Sequence, residues 1–232
     1  FVAVRPHLVI GTLASFLIPI SFPALLALAY QVSPKGGGQT YSMLELVLSV
    51  GIFAGSVVVS RFGAIGTMRM VGAGIFLTGI FSLTIAMSDA LGLTPTTWLV
   101  VIAAALFIAS IGNPIYAVAN QTAILEAADP SNRGTVMATR FGLVQTASIV
   151  GTAAGGLITK EYGALAAYGV LGVGLVLLAM YAIAAGRSTT NPLHGAAYEE
   201  ATLRTTEGAP ANGAADEEAT LQGAGAGSQA KS

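Results

Sequence analysis

Between Leu8 and Gly186 the chain holds six long apolar stretches, at about 8–30, 42–60, 68–88, 97–125, 134–158 and 164–186. Nothing else in the sequence constrains folding as strongly. A hydrocarbon core of about 30 Å takes about 20 helical residues at a rise of about 1.5 Å, and each stretch reaches that length. The runs are unbroken and show no inside–outside alternation, which argues against the strands of a membrane barrel. In lipid every backbone N–H and C=O must find its partner within the segment, so the expected elements are helices. The expected fold class is an all-α membrane protein with six transmembrane helices, occupying residues 1–187.

Composition agrees with that class. With 54% hydrophobic and only 9% charged residues, the chain has too few charges to coat a water-soluble domain of 232 residues. A formal net charge of −1 gives no reason to expect nucleic acid as a partner. There is no cysteine, which excludes disulfides and thiolate metal sites. His7 and His194 lie outside the apolar stretches and far apart in sequence, so no metal or histidine cluster is expected. No Ser–His or carboxylate pair occurs within the spans, which disfavours an intramembrane enzyme. No cofactor is expected. Residues 188–232 are rich in Ala, Gly, Thr and Glu with almost no large apolar side chains, and read as a disordered cytoplasmic tail.

The basic residues between the spans set a direction. Arg61 and Arg69 flank the second gap, Arg133 lies in the fourth, Arg5 precedes the first span and Arg187 follows the last. The only basic residues in the alternate gaps are Lys35 and Lys160, and the third gap holds the acidic Asp89 and no base. Placing the arginines in the cytoplasm satisfies the positive-inside rule, and an even number of spans then puts both ends there. Tyr30, Tyr41, Trp98 and Tyr162 fall at the opposite interface, as an aromatic belt should.

Polar groups inside the membrane are the natural functional candidates because they are costly to keep there. In the fourth span Asn113, Tyr116 and Asn120 are spaced i, i+3, i+7 and share one helix face, with Pro114 expected to kink the helix beside them. Two readings stay open: the stripe lines a water-filled cavity, or it bonds neighbouring helices. In the first span Pro19 and Pro23, with Ser15 and Ser21 close by, suggest a bend of the kind found at gates, or a packing adjustment. Glu45 lies about one turn from the outer end of the second span, as an interfacial residue or a proton-coupling carboxylate. Arg140 shares a face with Arg133 and sits near enough to the inner end to snorkel, which suits a rim or gate. Gly51 with Gly55 and Gly151 with Gly155 form G-x-x-x-G pairs in the second and fifth spans, a spacing that clears a face for close helix approach.

Two loop segments carry a family resemblance. Ser60-Arg61-Phe62-Gly63 resembles the second-half copy of the Asp-Arg-x-Gly loop of the major facilitator superfamily, with Ser60 in place of the Asp. Ala128-Asp129-Pro130-Ser131-Asn132-Arg133-Gly134-Thr135-Val136 resembles the acidic-Pro-x-x-Arg-Gly loop before the eleventh helix of that family. Over residues 1–187 the chain looks like the C-terminal six-helix half of such a transporter, in the drug and macrolide-efflux-like branch. The resemblance implies two inverted triplets of helices, with the first and fourth spans lining a cavity. It also implies that the second and fifth spans face the other half, so the glycine faces are expected to dock it. The expected function is secondary transport of a small amphipathic substrate by alternating access, coupled to protons and directed outward, in the plasma membrane. Because the chain opens on Phe1 without an initiator Met, its expected partner is a missing N-terminal half or a second copy of itself. A non-transporting membrane scaffold is the alternative from a different class.

Overall fold

The computed structural model describes residues 4–62 and 68–188, so Gly63 and the expected tail beyond Ser188 lie outside the described residues. The described residues form six helical spans long and apolar enough to cross a membrane. The first consists of α1 (Arg5–Leu17), a 3-10 turn (Ile18–Ile20) and α2 (Ser21–Val32). The second is α3 (Gly37–Phe62), and the third is α4 (Met68–Met87) extended by a 3-10 turn (Ser88–Leu91). The last three are α5 (Pro95–Ala127), α6 (Arg133–Tyr162) and α7 (Ala164–Ser188).

Local chemistry explains the boundaries. Thr94 caps α5 by accepting from the Thr97 N–H, and Pro95 at the first turn has no N–H to leave unpaired. The turn after α4 and the end of α6 close at Gly92 and Gly163, with φ of 58° and 89°, where a side chain would be strained. α4 begins and ends within a residue of the stretch expected for it, while the other spans run past theirs at one or both ends, because caps and interfacial polar residues extend the hydrogen-bonded ladder beyond the hydrocarbon.

The packing has internal symmetry. The first span lies against α6, and the fourth span, α5, lies against α3. The third and sixth spans, α4 and α7, pack along each other. Exchanging the first triplet of spans for the second maps this pattern onto itself, the relation expected of two inverted triplets. The centre is closely packed: Ile10, Leu28, Ile75, Leu175 and Tyr168 are fully buried.

One expectation is corrected here. The G-x-x-x-G faces do not point outward to dock another body. A Cβ at Gly51 would strike Ser110 Oγ and the Phe107 carbonyl, and one at Gly55 the Ile111 backbone and the Pro114 ring. A Cβ at Gly151 would strike the Phe16 carbonyl, and one at Gly155 the Ile20 backbone. Both cleared faces are filled by helices of this chain, because close backbone approach is what seats α3 on α5 and α6 on the first span. The outward stripe of α3 is bulky instead, with Met43, Leu46, Val50, Phe53 and Val57 exposed.

Candidate functional site

The site begins with a missing hydrogen bond. In a continuous helix the N–H at position 19 would bond the carbonyl of Ser15, but Pro19 has none, and the chain tightens there into the 3-10 turn. Ser21 Oγ donates back to the Ile18 carbonyl at 2.7 Å. The freed Ser15 carbonyl accepts from Ser148 Oγ of α6 at 3.2 Å. Such repair by a hydroxyl of a neighbouring helix is how a broken helix survives in lipid. The fourth span responds differently: α5 continues as one helix through Pro114.

Beside the break lies a cavity of about 100 Å³, bounded by Ser21 and Phe22 of the first span, Ile52 of α3, Thr78 and Ser82 of α4, and Ser110 and Asn113 of α5. Most of its hydroxyls are committed to backbone. Thr78 Oγ1 lies 3.0 Å from the Ala109 carbonyl, Ser82 Oγ donates to the Thr78 carbonyl at 2.8 Å and Ser110 Oγ to the Phe107 carbonyl at 2.8 Å. Asn113 is half-buried and, among the described residues, its amide makes no hydrogen bond. With the buried Tyr168 hydroxyl, which also lines the cavity and has no hydrogen-bond partner among the described residues, it is a polar group left for a ligand.

A second, more open groove of about 300 Å³ runs along the other side of the break, lined by Pro19, Phe22, Gln145, Ser148, Ile149 and Thr152. The Phe22 ring, 46% exposed, walls both spaces. Phe22 and Gln145 were not singled out by sequence, since neither an aromatic nor a single amide in a span is unusual enough to stand out.

The polar stripe of α5 does not stay on one wall. Tyr116 and Asn120 are buried and line neither space, so they are withdrawn from the cavity; Ser15 is buried with them. The cause is Gly11: a Cβ there would come within 2.7 Å of Asn120 Nδ2, and its absence lets α1 close over this part of α5. Pro19 lines the groove and not the cavity. Tyr116 lies beside Ser15 and within reach of the charge of Arg140, and Asn120 lies beside His7. The Asn120 amide atoms, His7 Nδ1 and Arg140 Nε are all shielded from solvent, and none meets hydrogen-bonding geometry with a protein partner. His7 is thus part of helix α1 and faces a polar interior, although it precedes the first apolar run in sequence.

The remaining candidates lie at the ends of the helices. Glu45 is exposed on α3, and Arg61 is exposed in the last turn of α3. Arg133 is exposed at the start of α6. The loop before it is an ordered turn in which Asp129 Oδ1 accepts from the Ser131 N–H at 2.9 Å and also from the Ser131 hydroxyl. Those two bonds, with the charge of Arg133 nearby, hold the Asp129 carboxyl below the usual aspartate range.

The sequence as a whole gives the deciding comparison: the family model of the Major Facilitator Superfamily matches residues 8–214. The chain belongs to the major facilitator superfamily. No curated protein and no solved structure matches it. Membership makes it a multi-pass membrane protein of a transporter family, and its six membrane-spanning helices fit that family.

Proposed function

We propose that this chain moves a small amphipathic organic compound across the plasma membrane by alternating access, coupled to protons and in the outward direction. It works as the C-terminal six-helix half of a transporter in the drug and macrolide-efflux-like branch, opposite an N-terminal half or a second copy. Both ends of the chain lie in the cytoplasm, on the side of Arg5, Arg61 and Arg133. The observation that carries the reading is the uncommitted Asn113 amide, held at a cavity between the interrupted first span and α5. A polar group that expensive to bury is retained where it meets something polar in transit. The Pro19 turn gives the first span a place to flex as the two bodies rock, and the groove along Gln145 and Thr152 widens the path. Glu45, exposed near the outer interface, is the candidate carboxylate for proton coupling, and Arg61, Arg133 and Arg140 belong to the cytoplasmic gate.

The scaffold alternative drew on glycine faces open to other proteins. Those faces are filled by α5 and the first span; the burial of Tyr116 and Asn120 is what a scaffold expects, and Asn113 at the cavity is the member of the stripe that favours transport.

The test is transport by vesicles carrying the protein, using a panel of cationic, neutral and anionic fluorescent amphiphiles. Asn113→Leu is expected to lower the transported rate by about tenfold, the equivalent of one hydrogen bond to substrate, with membrane insertion unchanged. Asn113→Gln should recover part of it. Full transport by the leucine variant would remove Asn113 from the cavity's function.

A further inference from the structure

The cavity of about 100 Å³ beside the Pro19 turn is apolar over most of its wall, where Ile18, Phe22, Leu48, Ile52, Leu106 and Leu171 stand. Its serine and threonine hydroxyls, on Ser21, Thr78, Ser82 and Ser110, all give their protons to backbone carbonyls. Two lining groups are left. The Asn113 amide makes no hydrogen bond among the described residues. Tyr168 is wholly buried, and its hydroxyl has no partner among the described residues either. Apart from that phenol, no lining residue is ionisable. The acidic or basic residue nearest along the helices that bound the cavity is Glu45, one turn before Leu48 on α3, and it is exposed.

Such a wall selects a ligand by charge and by hydrogen-bonding sense. An ion brought into it from water meets no opposite charge, at a cost far above that of a neutral polar group. The committed hydroxyls keep lone pairs, so acceptors are plentiful. The groups with a hydrogen still to give are the Tyr168 O–H and the Asn113 N–H, and a buried donor without an acceptor is the costlier defect. We propose that this cavity binds an uncharged hydrogen-bond acceptor, the carbonyl of a ketone, ester or amide, with Asn113 and Tyr168 as its donors. A carbonyl oxygen has two lone pairs and can answer both. An apolar cavity of about 150 Å³ holds benzene, so one of about 100 Å³ admits a head group of a few atoms. The inference rests on the transport reading in taking this cavity as the substrate's, and it narrows that substrate from amphiphiles in general to neutral ones.

The full chain is reconstituted in phosphatidylcholine nanodiscs, and its thermal unfolding midpoint is followed with three amphiphiles that share one tail. These are 2-octanone, 2-methyl-1-octene, which keeps the shape without the acceptor, and 2-aminooctane, an ammonium at neutral pH. The ketone is expected to raise the midpoint, and the other two are not. Tyr168→Phe removes one donor and should weaken the ketone by about tenfold. The ligand-free midpoint should not fall in that variant, since the hydroxyl has no partner to lose. Asn113→Leu should weaken the ketone by a similar factor. Tyr162→Phe, at an exposed tyrosine ending α6, should leave the response whole, which separates the cavity from any effect of the probe on the lipid. No response to the ketone, an equal rise with the alkene, a rise with the ammonium or an undiminished response in Tyr168→Phe overturns the proposal. So does a ligand-free midpoint lowered by Tyr168→Phe, because the hydroxyl would then already be satisfied. A ketone response without transport overturns the transport reading alone, and transport lost in Asn113→Leu without a ketone response overturns this inference alone.

Discussion

α3 lies on α5 through Gly51 and Gly55, and α6 lies on the first span through Gly151 and Gly155. The surfaces they meet also match: the backbone at Phe107 and Ile111 in one case and at Phe16 and Ile20 in the other, with a proline three residues further on, Pro114 or Pro23. Yet α5 continues through its proline as one helix, while the first span tightens into a 3-10 turn. The difference is Pro19. One proline in a membrane helix removes a single hydrogen bond and is absorbed; a second, four residues earlier, removes another on the same side. What makes the break tolerable comes from the neighbouring helix: α6 supplies Ser148 to the freed Ser15 carbonyl, where α3 presents Leu48 to the cavity. Two equivalent helix pairs have thus diverged, one kept rigid and one given a joint.

The largest effect expected from this comparison is at the glycines. A methyl at Gly151 meets a backbone carbonyl, which cannot step aside, while a methyl at Gly51 meets first the rotatable Ser110 hydroxyl and then the Phe107 carbonyl. Gly151→Ala should therefore destabilise the fold by about 3 kcal/mol and Gly51→Ala by about 1–2 kcal/mol, within the range for overpacking. Unfolding in mixed detergent micelles measures both. A smaller loss at Gly151 would mean that the first span yields at its break and that the joint is softer than the packing implies.

A smaller effect isolates the repair itself. Ser148→Ala should cost about 1 kcal/mol, because it strands the Ser15 carbonyl in an apolar setting. In a Pro19→Ala background the restored N–H can take over that carbonyl, and the same serine change should cost about nothing. The two substitutions are then coupled in a double-mutant cycle, and Pro114→Ala with Ser148→Ala should be additive. Coupling at Pro114 and none at Pro19 would break the assignment of the bond.

Some of this arrangement was legible in the residues, for definite reasons. Six spans follow from segment length against bilayer thickness, and the interrupted first span from the paired prolines. The fourth-span stripe was legible only as an angle. Asn113 and Asn120 project from nearly the same side of a helix, but what covers each depends on the opposing residue, and Gly11 on another span closes over only one of them. The spacing of the glycine pairs marks contact surfaces, but their occupant is a tertiary fact that spacing does not encode. Ser148 gave no signal, since most hydroxyls in these helices bond the carbonyl three or four residues back, as Thr152 and Ser49 do. His7 carries no signal in the sequence because it precedes the apolar run, although helix α1 begins at Arg5.

The smallest effect separates the connections between helices, which differ as the helices do. The first and second spans join through residues 33–36, where the Gly36 N–H bonds the Ser33 carbonyl and no ionisable group accepts. The fourth and fifth join through residues 128–132, where the Asp129 carboxylate accepts from Ser131 twice. Because the folded carboxyl titrates below its ordinary value, its contribution is complete above about pH 4, the usual aspartate range, and is lost as pH falls below it through the folded value. Amide exchange, corrected for intrinsic rates, should show Ser131 and Asn132 losing protection below about pH 4 while Gly36 does not. Asp129→Asn should make the second loop as indifferent to acid as the first. Equal acid sensitivity of both loops in the wild type would show that the turn before α6 is held by its backbone alone, and that the carboxylate adds nothing to setting Arg133 at the head of that helix.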